Sequence, residues 1–207
     1  MTGKSVFVCC ALLALPVFWG CVTTEEPNPW ESADNLAQVA RDHYEGMQFE
    51  AAANIFLKAL EKDPGHFDAA LGLGNSLFML GTFAGQRGDL KARDGYDAKA
   101  MEYFRLASKS KPDAPGPYLS AGTLKHDRGL WTEAVKPLEM ALERAQGDTV
   151  VLERCYFYLG TCNIMMLKYA EAREFFFKIL DIPGAPSRGE AEKMLIEIDR
   201  IMKGGGK

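Results

Sequence analysis

One phrase occurs twice in this chain, and its recurrence limits the folds that the sequence can adopt. Residues 48–65 read QFEAAANIFLKALEKDPG, and residues 168–184 read KYAEAREFFFKILDIPG. Each contains an aromatic residue, an acidic residue and an alanine, followed by a bulky aromatic residue, a Lys-x-Leu step, an acidic residue and a proline. A repeated unit of this kind predicts an array in which each unit covers its apolar face with the next one.

Four copies of the phrase align along the chain. In each copy a small residue is followed four positions later by a bulky residue and three positions after that by another apolar residue. The spacing i, i+4, i+7 places all three on one face of a helix, where alanines let a neighbouring helix approach closely. The four trios are Ala52/Phe56/Ala59, Ala100/Phe104/Ala107, Ala134/Leu138/Ala141 and Ala172/Phe176/Ile179.

Each of these helices is predicted to be the second helix of a unit, and another helix, the first of the unit, is predicted before it. Its four signatures are Leu36-Val39-Ala40-His43, Ala70-Leu73-Gly74-Leu77, Tyr118-Ala121-Gly122-Lys125 and Tyr156-Leu159-Gly160-Asn163. Short turns at Gly46-Met47, Arg128-Gly129 and Leu167-Lys168 separate the two helices of a unit. Pro64, Pro112 and Pro183 end the second helices, as a proline shortly after a helix does.

This arrangement resembles the tetratricopeptide repeat, a helix–turn–helix of about 34 residues with the pattern W-x2-L-G-x2-Y, then A-x3-F, then P. The resemblance covers residues 33 to about 184. It implies an all-α, right-handed solenoid of four helix pairs in residues 32–186, followed by a capping helix and frayed tail in residues 187–207. The chain departs from the pattern in lacking the tryptophan and in having Gln146 where the third proline belongs.

The second unit is longer than the others. Ala52 and Ala100 are 48 positions apart, which is 14 more than the 34 between Ala100 and Ala134. Fourteen residues are about two turns added to each helix. The sequence therefore predicts an extended hairpin whose tip carries Arg87, Asp89, Lys91 and Arg93, either as a contact for a partner or as a solvated end.

The C-terminal stretch predicts the capping helix. Ser187 and Glu190 have the spacing of a capping box, in which each side chain bonds the backbone N–H of the other residue. An apolar stripe follows, and the final GGGK should fray. The stripe consists of Ala191, Met194, Leu195, Ile198 and Ile201.

The first twenty residues have the form of an export signal. Lys4 precedes the apolar run SVFVCCALLALPVFWG, which is too short to span a membrane. Residues 21–31 are polar and contain two prolines, so we interpret them as a tether. The Gly20-Cys21 junction resembles a bacterial lipoprotein signal, although Phe18 and Trp19 depart from it; the alternative is a simple secretory signal.

The lipoprotein resemblance implies a location. Cys21 would carry the lipid, and the membrane would be contacted only through this anchor. Val22 follows Cys21 where many lipoproteins retained at the inner membrane have aspartate. The resemblance therefore implies the periplasmic side of the envelope, with the outer membrane favoured over the inner.

Little in the composition or the motifs suggests chemistry. The net charge of −4 offers no electrostatic basis for binding nucleic acid. Cys155 and Cys162 lie seven residues apart on one helix, about 10 Å, beyond the roughly 7 Å limit for a disulfide. We expect them to be buried thiols. The three histidines lack ligand spacing and no catalytic motif is present, so we expect no enzyme, metal or cofactor.

Binding is the function class that remains. In the resembled fold the first helices line a concave groove, into which their second, fifth, ninth and twelfth repeat positions point. The chain has Ala37, Leu71, Leu119 and Phe157 at the fifth, Arg41, Asn75, Thr123 and Thr161 at the ninth, and Tyr44, Phe78, His126 and Ile164 at the twelfth. The candidate groove residues are Leu71, Asn75, Phe78, Leu119, Thr123, His126, Phe157 and Thr161.

Such a groove is suited to an extended peptide or a partner helix. Its apolar residues could instead pack between neighbouring first helices. Of the cations and amides with which chaperone-binding members of the resembled family hold a C-terminal carboxylate, only Asn75 has a counterpart here. The first hypothesis is a lipid-anchored envelope scaffold that binds a protein or peptide, with its oligomeric state undetermined. The second is a periplasmic carrier of a small hydrophobic ligand, and an intracellular scaffold is third.

Overall fold

The structure is a computed structural model that describes residues 32–204, within which the backbone forms nine α-helices and no strand. The predicted all-α fold of four helix pairs and a C-terminal helix is confirmed. The predicted signal peptide, tether and last three residues lie outside the described range. The helices are α1 (Ala33–Glu45), α2 (Phe49–Lys62), α3 (Phe67–Gln86), α4 (Leu90–Ser110), α5 (Gly116–Asp127), α6 (Trp131–Arg144), α7 (Thr149–Met165), α8 (Tyr169–Leu180) and α9 (Arg188–Gly204).

The helices stack in chain order. Each packs against the next, and the first helices of successive pairs, α1, α3, α5 and α7, also contact one another. We call the surface formed by these four the first-helix face. Among the helices of residues 32–204, none combines the length and the apolar character needed to cross a bilayer.

The four predicted trios form the core. All twelve side chains are at most 2% exposed. In three pairs the bulky member lies against a glycine of the first helix: Phe104 against Gly74, Leu138 against Gly122 and Phe176 against Gly160. A β-carbon on these glycines would lie only 2.6, 2.6 and 2.8 Å from the facing side chain. The glycine is therefore a packing requirement of the pair.

The turn between the two helices of a pair has the same conformation four times. Its middle residue has left-handed φ: Met47 (59°), Gly88 (81°), Gly129 (74°) and Leu167 (61°). The N–H of the following residue bonds back to the last turn of the first helix at 2.8–2.9 Å, for example Lys168 to the Asn163 carbonyl. This bond satisfies a carbonyl at the helix end. Two of the four positions hold a non-glycine residue in a conformation that costs L-residues about 1–2 kcal/mol.

The second pair is an extended hairpin, as predicted. Its helices have 20 and 21 residues, and the turn between them lies at residues 87–89. The guanidinium of Arg128, after α5, donates to both carboxylate oxygens of Asp97 on α4 at 2.6 and 3.0 Å. It also donates to Thr82 of α3 at 3.2 Å and lies over the Phe78 ring at 5.3 Å. One side chain thus fixes both arms of the hairpin against the third pair.

The predicted terminal helix α9 is present, but its beginning differs from the prediction. Ser187 donates both its backbone N–H and its hydroxyl to the Glu153 carboxylate of α7, at 2.7 and 2.6 Å. Glu153 is buried, whereas Glu190 is exposed. A carboxylate 34 residues earlier in the chain therefore occupies the place predicted for Glu190, because the stacking of pairs brings α7 to the start of α9.

The glycine contacts predict opposite effects of one substitution at two helical sites. Gly122→Ala forces a β-carbon against Leu138 and should lower the free energy of unfolding by about 1 kcal/mol or more, since overpacking outweighs the helix-propensity gain. Gly95→Ala on α4 meets nothing within 4 Å. It should raise the free energy of unfolding by up to about 1 kcal/mol. Urea denaturation of both variants is the measurement, and equal effects would contradict this account of the core.

Candidate functional site on the first-helix face

A pocket of about 290 Å³ lies between α1 and α3. The predicted groove residues Leu71 and Asn75 line it, together with Arg41 and Tyr44 from the ninth and twelfth positions of the first unit. The ring of Phe56 forms part of its wall. The repeat register therefore brings side chains of two successive first helices together. We call this the α1–α3 pocket.

Charged groups surround the apolar interior of the α1–α3 pocket. Arg41 lies 3.7 Å from Asp68, and Glu45 is a further acidic lining residue, so the rim has an acidic excess. Burial raises the pKa of the Tyr44 hydroxyl, while the positive charge of Arg154 on α7 lowers it.

The middle of the face differs from the prediction. Leu119 is 4% exposed and Thr123 is 6% exposed, and Leu119 belongs to the core cluster of α6 and α7. The Thr123 hydroxyl has no hydrogen-bond partner in the described part of the chain. Neither residue offers much surface to a ligand. The predicted apolar strip is therefore interrupted at α5, because the packing of α5 against its neighbours covers both side chains.

The Phe78 side chain mainly contributes to packing in the core. It is half-buried against the core of the first two pairs, beneath the guanidinium of Arg128. Phe78 therefore fits the alternative stated in the sequence analysis, in which the apolar groove residues pack between helices.

His126 and Thr161, both candidate groove residues, lie together. The imidazole Nε2 is 2.9 Å from Thr161 Oγ1, and Nδ1 is 3.0 Å from Asp127 Oδ1. This order of carboxylate, imidazole and hydroxyl also occurs in hydrolases. However, the Thr161 hydroxyl lies 3.1 and 3.0 Å from the carbonyls of Phe157 and Tyr158, to which it donates its single proton. The contact between the imidazole and this hydroxyl links α5 to α7.

Aromatic rings hold His126 on two sides. Its ring centroid lies 5.1 Å from that of Trp131 and 5.0 Å from that of Tyr158, both in edge-to-face geometry. The cluster joins α5, α6 and α7. The repeat pattern identified His126 as a candidate residue. It did not identify the aromatic neighbours Trp131 and Tyr158, which lie on two other helices.

Phe157 lines a second pocket, of about 460 Å³, at the C-terminal end of the face. The pocket walls include Arg154, Tyr158 and Pro186, and the Phe157 ring packs edge-on against Phe176 at 6.2 Å. We call it the α7 pocket. Sequence reasoning missed Pro186 because the segment before α9 reaches this place only through the stacking of the last pair.

The described residues contain no group of histidine, cysteine and acidic side chains that could hold a metal ion. Cys155 and Cys162 are both free and completely buried, as the sequence predicts for thiols packed as small hydrophobes. Burial raises the pKa of each thiol to about 11.

Comparisons with known proteins show the fold. No protein-family model matches the sequence, and no curated protein matches it. A solved structure described as a functional characterisation of pilF from Pseudomonas aeruginosa matches 83% of this chain and 68% of its own, with a TM-score of 0.62 and 22% identity. A crystal structure of the MamA protein matches 84% of this chain and 89% of its own, with a TM-score of 0.59 and 17% identity.

A third structure, MamA from residue 41 to its end from Desulfovibrio magneticus RS-1, matches 73% of this chain and 75% of its own, with a TM-score of 0.57 and 16% identity. At these identities the likeness concerns the fold alone, an all-helical solenoid of stacked helix pairs. The chain is similar to these proteins in architecture.

The buried thiols predict slow alkylation. Because the thiolate is the reactive form and the pKa of both thiols is raised to about 11, Cys155 and Cys162 should resist iodoacetamide at pH 8 in the folded protein. In denaturant both should react fully. Mass spectrometry of the two peptides after brief treatment is the measurement, and rapid native labelling of either residue would show that the α7 core opens.

Proposed function

We propose that the chain is a lipid-anchored scaffold of the bacterial cell envelope that binds an extended segment of another protein on its first-helix face. The observation that carries the proposal is the α1–α3 pocket. Leu71 and Asn75, chosen from the sequence by repeat position, line one open pocket with Arg41 and Tyr44. An apolar interior with polar groups at its rim fits a side chain and the adjoining backbone of an extended peptide.

The charges of the α1–α3 pocket favour an internal peptide segment over a free C-terminus. Asp68 and Glu45 outnumber Arg41 at the rim, and Arg41 is already close to Asp68. A carboxylate would be repelled there, whereas a lysine or arginine beside the inserted side chain would be attracted. The preferred ligand is therefore an apolar residue flanked by a basic one.

Two anchors suit this mode of binding. The α7 pocket lies at the C-terminal end of the same face, and Phe157 and Arg154 line it. Buried Leu119 and Thr123 lie between the two pockets and offer little surface to a ligand. The affinity for the ligand then comes from the two pockets at the ends of the face. The contact between His126 and Thr161 fixes α5 against α7.

A matched pair of leucine substitutions tests this binding site. A photo-crosslinking amino acid at position 71 in intact cells identifies the bound segment, and a synthetic peptide of that segment is titrated against purified variants by calorimetry. Leu71→Ala should weaken the peptide about thirtyfold, corresponding to about 2 kcal/mol for an anchor residue.

Leu57→Ala on α2 is the control, because Leu57 is 42% exposed and lies outside the pocket. It should leave the affinity unchanged. Equal affinities of the folded Leu71→Ala variant and wild type would remove the α1–α3 pocket as the binding site. A small hydrophobic molecule recovered at position 71 in place of a protein would favour the carrier hypothesis.

The anchor is tested separately. Cys21 should be lipidated, leaving a mature chain of residues 21–207, and metabolic labelling with a fatty-acid analogue should mark the wild-type protein. Cys21→Ser should abolish the label, because the cysteine thiol is the acceptor. Labelling of the serine variant at the wild-type level would exclude this site and leave the simple secretory signal as the explanation of the leader.

A further inference from the structure

A long groove separates α4 from α5. Two adjoining cavities of about 380 and 360 Å³ compose it, and both are lined by Met101. On α4 the lining extends from Arg93 to Ser108, which is about 22 Å of helix at 1.5 Å per residue. We call this the α4–α5 groove.

The α4–α5 groove lies on the opposite side of α5 from the first-helix face. Ala121 and Leu124 line the groove, whereas Leu119 and His126 face α6 and α7. At about 100° per residue, Leu119 and His126 point roughly 150° away from Ala121 around the helix. A ligand in the groove therefore need not touch the α1–α3 pocket or the α7 pocket.

The floor of the groove is apolar and its walls are fixed. Met101, Phe104, Pro117 and Ala121 form one end, where the lining is predominantly apolar. Tyr118 at this end donates its hydroxyl to the Pro112 carbonyl at 3.3 Å and lies under Arg144 at 4.5 Å.

The other end of the groove is held by ion pairs. The Arg128–Asp97 pair and the Lys125–Glu133 pair, at 2.6 Å each, satisfy the polar groups of this end. The groove is therefore preformed, which limits the ordering that binding requires.

One rim of the groove carries an excess of positive charge. Lys91, Arg105 and Lys109 project from the same side of α4, within about 80° of Met101 around the helix. Arg105 lines the groove, as does the acidic Glu102, while Lys91 and Lys109 lie just beyond its two ends. No ion pair involves any of the three in the described part of the chain. The helix has five basic and three acidic residues, a net charge of +2, in a chain whose net charge is −4. This local excess indicates the charge of what binds there.

We propose that the α4–α5 groove binds an acidic amphipathic helix of a partner protein. A third helix laid along two neighbouring helices buries apolar side chains at i, i+3, i+4 and i+7, and about 15 residues would match the length of the groove. Aspartates and glutamates on one flank of that helix pair with Lys91, Arg105 and Lys109. The chain's own tether is unsuited to this role, because Pro27 and Pro29 in residues 21–31 oppose a helix of this length.

A pair of synthetic peptides tests the proposal on the full chain. Both are 18-residue helices with leucine at i, i+3, i+4 and i+7; one has glutamate on its polar face and the other lysine. Fluorescence anisotropy should show the glutamate peptide binding at least tenfold more tightly at low salt, with the difference shrinking as salt is added. Equal binding of the two peptides would overturn the proposal.

Substitutions locate the binding. Ala98→Trp places an indole in the groove from an exposed position of α4 and should weaken the glutamate peptide about tenfold or more. Its control is Ala170→Trp, at an exposed position of α8. Arg105→Glu should weaken the peptide about tenfold by like-charge repulsion, and its control is Lys58→Glu on α2. Circular dichroism confirms that each variant is folded.

The outcome also distinguishes this surface from the first-helix face. Leu71→Ala should leave the glutamate peptide's affinity unchanged. Loss of binding in Leu71→Ala with full binding in Ala98→Trp would place the peptide in the α1–α3 pocket and refute the proposal. Unchanged binding in both would refute it as well, since the peptide would then occupy neither surface.

Discussion

The close contact between a bulky side chain of each second helix and a small residue of the first helix determines the rest of the structure. Phe104, Leu138 and Phe176 lie so near Gly74, Gly122 and Gly160 that no β-carbon fits between them. In the first pair Ala40 takes the corresponding place, and both Ala40 and Phe56 are buried. Because this contact recurs with the same spacing, the two helices of each pair pack together in the same way, and each pair can stack on the next. A solenoid follows from that repetition.

Contacts between distant parts of the chain then decide where the repetition is modified. The Arg128 guanidinium ties both arms of the extended hairpin to the third pair, so the additional turns of α3 and α4 pack as part of the solenoid. The same fixation leaves α4 standing beside α5 with a groove between them. The Glu153 carboxylate performs a similar role at the other end, where it fixes the beginning of α9. Both are charged groups that are mostly removed from solvent and hydrogen-bonded to groups of other helices or segments, as buried charge requires.

Two surfaces of different character result. The α1–α3 pocket has an acidic excess at its rim around an apolar interior, whereas one rim of the α4–α5 groove has a basic excess beside an apolar floor. In the two proposed binding modes, ligands of opposite charge would be sorted between these surfaces. In this arrangement α5 separates the two sites, and its buried residues Leu119 and Thr123 transmit no ligand contact of their own.

The prediction of the fold from sequence succeeded because the fold depends on local, periodic information. Each signal can be read from a stretch of a few tens of residues. Examples are the helix periodicity, the turn at Arg128-Gly129 and the trio Ala134/Leu138/Ala141. The candidate site was harder to predict. Register alone placed Leu71 beside Asn75 and His126 beside Thr161, but it assigned Leu119 to an open groove although α6 and α7 cover it.

By itself, the sequence determined the number of helix pairs, their order, the extended hairpin and the residues of the core. These depend on which face of each helix is apolar, and a period of 3.6 residues reveals that directly. Only the tertiary structure decided which surface side chains stay accessible and which charges find partners. Glu153 reaches Ser187 rather than solvent, and Arg128 reaches Asp97, because stacking brings together residues 34 and 31 positions apart in the chain. Arg105 and Lys109 are left without ion-pair partners for the same reason. Pairing of charges depends on distances between helices, and the residue pattern of a single helix does not specify those distances.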